Sequence, residues 1–166
     1  MITRRNAILT LITAASLLSI SHISYAQKGE EKAIRAAYAT ADALYRKKDV
    51  AKLMKMLTPD VMYKEVGGKT MNYKEMDALM KQQLGNIQSI DAFKTTIKKL
   101  TVKGKTAQSE TSMTLKGKVA DPQGKIHVMT SMSTTRDTWT KTPQGWRMKM
   151  IEALSDKMLM DGKPMN

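Results

Sequence analysis

Apolar residues recur at helical spacing in the first half of the chain and at strand spacing over most of the second. Between Glu30 and Lys48 the residues Ile34, Ala37, Tyr38, Ala41, Leu44 and Tyr45 form one stripe, with most charges opposite it. That pattern predicts an amphipathic helix. Asp49 is placed to cap a second, short helix that turns Val50, Leu53, Met54 and Leu57 inward and stops at Pro59. A third helix is expected from Asn72, with Glu75 three residues on to complete a capping box. It would bury Tyr73, Met76, Leu79, Met80 and Leu84 and close at Gly85.

The remaining segments alternate. Val61 to Val66 reads as a strand running into a tight reversal at Gly67-Gly68. From Phe93 the apolar positions are odd (Phe93, Ile97) and then even (Leu100, Val102), which predicts a bulge near Lys98-Lys99. Three long strands follow: Ala107 to Val119, Lys125 to Thr140, and Trp146 to about Asp156. The two turns that join them, Asp121-Pro122-Gln123-Gly124 and Thr142-Pro143-Gln144-Gly145, share the type I signature of Pro second and Gly fourth. They set registers in which paired positions sum to about 245 and about 287. The fold class expected is α+β: three N-terminal helices on one face of a bent, four-stranded antiparallel meander.

Composition changes the picture at the N-terminus. Arg4 and Arg5 precede an apolar run from Ala7 to Ile20, and Ser24-Tyr25-Ala26 supplies small residues at the −3 and −1 positions of a cleavage site. This is the order of a secretory signal peptide, so residues 1–26 are expected to be removed after Ala26 and residues 27–166 to form one exported domain. The paired arginines also suit a twin-arginine signal. The apolar run is shorter than a spanning helix needs, so no stable membrane insertion is expected after cleavage. The formal charge is +13, from 28 Lys+Arg against 15 Asp+Glu, and there is no cysteine. Disulfides, thiolate metal sites and cysteine nucleophiles are excluded.

Two stretches resemble a known family. Lys48-Asp49, then Leu53, then Leu57-Thr58-Pro59-Asp60-Val61-Met62-Tyr63 is similar to the "D-x-x-x-L…L-x-P-D-V-x-Y" stretch of the SnoaL-like branch of the nuclear transport factor 2-like superfamily. Asp137-Thr138-Trp139-Thr140-Lys141 and Gly145-Trp146-Arg147-Met148 resemble that branch's closing hairpin. The resemblance implies a cone-shaped domain with a pocket between sheet and helices, often a homodimer packed through its sheets. It also implies activities ranging from isomerase, cyclase and dehydratase chemistry to plain binding, so the fold does not decide the function.

Candidate chemistry is sparse. In the registers above, Glu110, Thr135 and Glu152 share a face, and two carboxylates in an apolar cavity would be suited to general acid–base work. The same carboxylates on an outward face would merely balance nearby cations. Tyr38, Tyr45, Tyr63 and Trp139 are expected to line or rim the pocket, with Met148 and Met150 together on one face of the last strand. His127, opposite Lys118 in the expected register, is read as a solvated or edge residue. The 15 methionines are read as adaptable core filling, since His127 lies too far from Met148 and Met150 to complete a soft-metal site. Neither a metal nor a cofactor is expected. The lysine-rich stretch from Lys94 to Lys125 has Phe93 as its sole neighbouring aromatic, which argues against nucleic acid.

Three functions follow as expectations. The first is an exported domain, periplasmic or secreted, that binds a small hydrophobic or anionic organic molecule. The second is an isomerase, cyclase or dehydratase with Glu152 or Glu110 as base. The third is a dimeric adaptor that meets anionic envelope components through a basic sheet face.

Overall fold

The computed structural model describes residues 17–165, with side chains from residue 27 onward. The elements run α1 (Leu17–Arg46), α2 (Val50–Met54), β1 (Leu57–Lys64), β2 (Thr70–Asn72), α3 (Tyr73–Asn86), β3 (Ile87–Lys103), β4 (Thr106–Ala120), β5 (Ile126–Thr142), β6 (Gly145–Met160) and β7 (Lys163–Pro164). Strand order is β2-β1-β6-β5-β4-β3, with β7 beside β6. The expected antiparallel meander is β3 to β6, and β1 extends it by pairing parallel with β6. The expected leader, residues 1–26, lies outside the residues whose side chains are described. Among the described residues no helix is long and apolar enough to cross a membrane.

Local chemistry accounts for most boundaries. Asp49 caps α2 by accepting from Lys52 N at 3.1 Å. That helix ends earlier than its apolar pattern suggests, because Leu57 is drawn into β1 opposite Met148. Pro59, which has no N–H to offer a ladder, falls where the register shifts between Leu57 and Met62. The capping box of α3 is present in full: Asn72 Oδ1 accepts from Glu75 N at 3.1 Å, and Glu75 Oε2 accepts from Asn72 N at 2.8 Å. Gly85 does not close this helix; it stays helical, and Ile87 leaves in the extended conformation.

The sheet bends where β3 is irregular. Its pairing with β4 shifts between Ile87 and Ser89, Ile90 and Ala92, and Ile97 and Lys99, the last being the expected bulge. Gly117 of β4 faces this bend, and a Cβ there would stand 2.4 Å from the Ser89 carbonyl oxygen. Strand β3 is an edge, and α1 covers it. Thr95 donates from N and Oγ1 to the two carboxylate oxygens of Asp42 at 3.0 and 2.7 Å, and Arg46 Nη1 donates to Phe93 O at 3.0 Å. Lys48 Nζ donates to Ile87 O and, at 3.3 Å, to Gln88 O. These contacts occupy backbone groups that would otherwise template association, and they fix the helix along the sheet.

The hairpin registers follow the turns. Both turn glycines, Gly124 (φ 82°) and Gly145 (φ 102°), sit in the left-handed region that closes a type I turn into a hairpin. The β4–β5 pairs sum to 246, from Thr106↔Thr140 to Ala120↔Ile126. The β5–β6 pairs sum to 287 near the turn (Trp139↔Met148) and to 288 and 289 beyond two bulges (Thr138↔Met150, Thr134↔Ser155). Those single-residue offsets decide which side chains face the helices.

Candidate functional site

The concave side of the sheet and the three helices enclose a cavity of about 490 Å³. Tyr38 and Tyr45 of α1, Tyr63 of β1 and Met148 of β6 line it, with Leu115 and Met129 on the central strands. Exposed Gln83 and Asn86 of α3 and Asp156 and Met158 of β6 form its rim. Tyr45 stacks on Phe93 with ring centroids 4.3 Å apart. Its phenol is pushed up to about 12, first by desolvation. Burial raises the Tyr63 phenol as well.

One end of this apolar space is polar. Asp137 of β5 lines the cavity and is 2% exposed. The Tyr38 hydroxyl donates to Asp137 Oδ2 and lies 2.7 Å from Ser109 Oγ. Beneath them Trp139 Nε1 donates to Ser109 Oγ at 3.0 Å and to the Tyr38 oxygen at 3.2 Å, and its ring meets Tyr38 edge-on at 5.0 Å. Among the described residues Asp137 Oδ1 has no hydrogen-bond partner. Burial raises the carboxyl to about 6 against the opposing pull of the Tyr38 hydroxyl and then that of Thr135, while desolvation and the neighbouring carboxylate raise the Tyr38 phenol. A carboxyl poised near neutrality can accept a proton or a hydrogen bond, or donate one when protonated.

The model of the SnoaL-like domain matches residues 29–152, most of the described chain. The chain belongs to the SnoaL-like family. No curated protein matches the sequence. Among solved structures, a conserved protein from Planctomyces limnophilus is 20% identical, with 75% of this chain and 94% of that one covered at a TM-score of 0.65. A provisionally named dehydratase of the NTF2-like family from Streptomyces avermitilis is 16% identical (76% and 96% covered, TM-score 0.61). An NTF2-like protein with a cystatin-like fold from Novosphingobium aromaticivorans is 19% identical (84% and 90% covered, TM-score 0.56). At such identities the likeness carries the fold, the bent sheet over helices of the nuclear transport factor 2-like superfamily.

Against this SnoaL-like framework the expected site residues divide. Tyr38, Tyr45, Tyr63 and Met148 line the cavity. Trp139 does not line it; fully buried, it supports the Asp137 end from below. Met150 does not share a face with Met148. The bulge opposite Thr138 and Trp139 turns Met150 outward, where it is 42% exposed. The same offset corrects Glu152, which pairs with Arg136 rather than Thr135 and so faces away from the cavity. Glu110 likewise pairs with Arg136 because the β4–β5 sum is 246.

Both carboxylates are ion-paired on the outer face. Arg136 lies 3.3 Å from each, and Lys64 lies 3.0 Å from Glu152. Lys64 first and Arg136 second hold Glu152 below the ordinary glutamate range, the opposite of what a base near neutrality needs. His127 stands opposite Val119, not Lys118. Its ring is held between Asp161 (Nδ1, 2.7 Å) and Asp121 (Nε2, 3.2 Å) and fastens the C-terminal turn to the β4–β5 loop. Met54 is buried in the core, and Met56 lines the cavity.

The polar residue that the pattern reading missed is Asp137, although its motif was in view. Asp137 and Trp139 are two apart on one strand and so share a face. The indole belongs in a core, and that places the carboxyl there as well.

Proposed function

We propose that this SnoaL-like domain binds a small, largely apolar organic molecule that carries one uncharged polar group. A single observation supports the reading: a buried carboxyl, Asp137, with an oxygen that has no partner among the described residues, at the end of an otherwise apolar cavity of about 490 Å³. Apolar cavities with a few convergent polar groups are the usual form of a small-molecule site. A ligand hydroxyl would donate to Asp137 Oδ1, and a ligand carbonyl would accept from it once the carboxyl is protonated. An anionic ligand is disfavoured, since it would meet a carboxylate across a poorly solvated gap. Export after Ala26 fits the N-terminal pattern and is part of the proposal. Thermal-shift measurements with naphthalene, 2-naphthol and 2-naphthoate test it. Stabilisation by 2-naphthol above the other two supports the reading, and no stabilisation by any of them overturns it.

A second reading is favoured by the raised carboxyl. Asp137 would act as general acid or base on the bound molecule, with the Tyr38 hydroxyl holding its other oxygen. Turnover of an enolisable ketone, followed as deuterium exchange α to the carbonyl and lost in Asp137→Asn, would establish it. Equal exchange in Asp137→Asn would exclude it.

A further inference from the structure

The side of the sheet away from the helices has a chemistry of its own. Helix-facing positions on β4 and β5 are odd-numbered, as Ser109, Leu115, Asp137 and Trp139 show, so the even-numbered ones face outward. The outward rows of β3, β4 and β5 carry Lys94, Lys99, Lys103, Lys116, Lys118 and Arg136 against one carboxylate, Glu110. Arg136 is taken up by Glu110 and Glu152, whereas none of the five lysines pairs with a carboxylate among the described residues. Most remaining outward positions are hydroxyls, among them Thr96, Thr101, Ser112, Thr134 and Thr138. The sheet's curvature cuts a groove of about 410 Å³ into this face, lined by Lys99, Thr101, Lys103, Gln108, Arg136 and Thr138 among others.

We propose that this groove is a second binding site and that it takes an acidic polysaccharide, a linear chain of sugar rings bearing carboxylates. Lys99 and Lys103, which pair with no carboxylate among the described residues, stand four residues apart on one strand, roughly 13 Å at strand rise, while Arg136, two strands across, and the groove's one carboxylate, Glu110, offset each other. Cations so spaced meet successive charges of a linear polyanion, while the threonine hydroxyls and the Gln108 amide match sugar hydroxyls between them. The same rows disfavour other occupants. They hold no aromatic side chain on which a nucleic-acid base could stack. Their exposed large apolar side chains, Ile126 and Val128, stand at the end of β5 away from the groove, and Met150 of β6 is a single such residue beside it, too little apolar surface there to enter a bilayer interface. A second copy docked face to face would set lysines against lysines.

The experiment is calorimetry at low ionic strength with an oligomannuronate, on the wild-type protein, on Lys99→Gln/Lys103→Gln and on a control, Lys28→Gln/Lys32→Gln, whose changes lie on the exposed face of α1. Expected is binding that the groove variant weakens about tenfold, the loss of two exposed ion pairs at the upper end of their range, and that the control leaves unchanged. Poly-L-glutamate of equal charge should bind more weakly, because it lacks the hydroxyls. Equal thermal midpoints for the three proteins keep misfolding from mimicking the effect. The proposal is overturned by any of four outcomes. These are no binding; equal binding by the groove variant; poly-L-glutamate, oligothymidylate or phosphatidylglycerol vesicles binding as tightly as the oligomannuronate; or a dimer in sedimentation that the groove variant dissociates.

Discussion

The hydroxyl of Tyr38, in the C-terminal half of the first helix, donates to Oδ2 of Asp137 on a central strand ninety-nine positions later. This contact ties helix to sheet at the polar end of the cavity. It orders one carboxylate oxygen and leaves the other without a partner among the described residues. Removing the hydroxyl in Tyr38→Phe strands Asp137 Oδ2 and takes a partner from Ser109 and Trp139. Urea denaturation should show a loss of about 1–3 kcal/mol, the cost of buried polar groups left unpaired.

Asp137 also sets a dependence on pH. Its carboxyl stands at about 6 in the fold, above its value in the unfolded chain, so between roughly pH 4 and 6 the folded state holds the extra proton. Stability therefore falls as pH rises through that window and is level above it, by about 3 kcal/mol if the whole shift is expressed. Denaturation midpoints of Asp137→Asn should lack that fall. An identical slope in the variant would remove the raised carboxyl from the account.

His127 carries the opposite charge logic. Hydrogen bonds that its ring donates to Asp161 and then to Asp121 raise its pKa, with Lys125 near Asp161 as the other charge in the cluster. Its contribution to stability is thus present below the unfolded value and is lost as pH rises through the folded one. Nuclear magnetic resonance titration should find the imidazole titrating above its ordinary value. The stability gap between wild type and His127→Gln should close as pH rises past that point.

Gly117 tests the bend. Gly117→Ala places a methyl 2.4 Å from the Ser89 carbonyl oxygen, a backbone atom that cannot swing aside. A destabilisation of about 1–3 kcal/mol is expected by thermal melting. The β3 edge makes a companion case. Asp42→Ala leaves Thr95 N without its acceptor and should cost about 1–2 kcal/mol while increasing association at high concentration.

These effects show what the sequence could and could not convey. The capping box at Asn72 and Glu75, the Asp49 cap, the two proline–glycine turns and the bulge beside Lys98 are local events, written within a few residues of where they act. The meander and its helices were legible for that reason. The facing of Glu152 and Met150 was not, because it depends on a bulge of one residue that alternation cannot count once the strand turns amphipathic on both sides. A sum of 246 in place of 245 likewise moved Glu110 to the outer face. Asp137 was readable from its place two before Trp139, but an acid between threonines reads as surface until the indole fixes the face.

The carboxylates that the registers first brought together now serve as a control. Glu152→Gln alters an exposed network with Lys64 and Arg136 and should leave ligand binding in the cavity unchanged. A loss of cavity binding in that variant would mean that the outer and inner faces communicate.

In the proposed function Asp137 reads a polar group at the end of an apolar cavity. The most direct measurement of this is the binding of 2-naphthol and naphthalene to wild type and to Asp137→Leu by calorimetry. Wild type is expected to prefer 2-naphthol about tenfold, the worth of a hydrogen bond to a charged group at its lower end, and the variant to bind the two alike. Equal affinity for both molecules in wild type, or a preference that survives in Asp137→Leu, would contradict it.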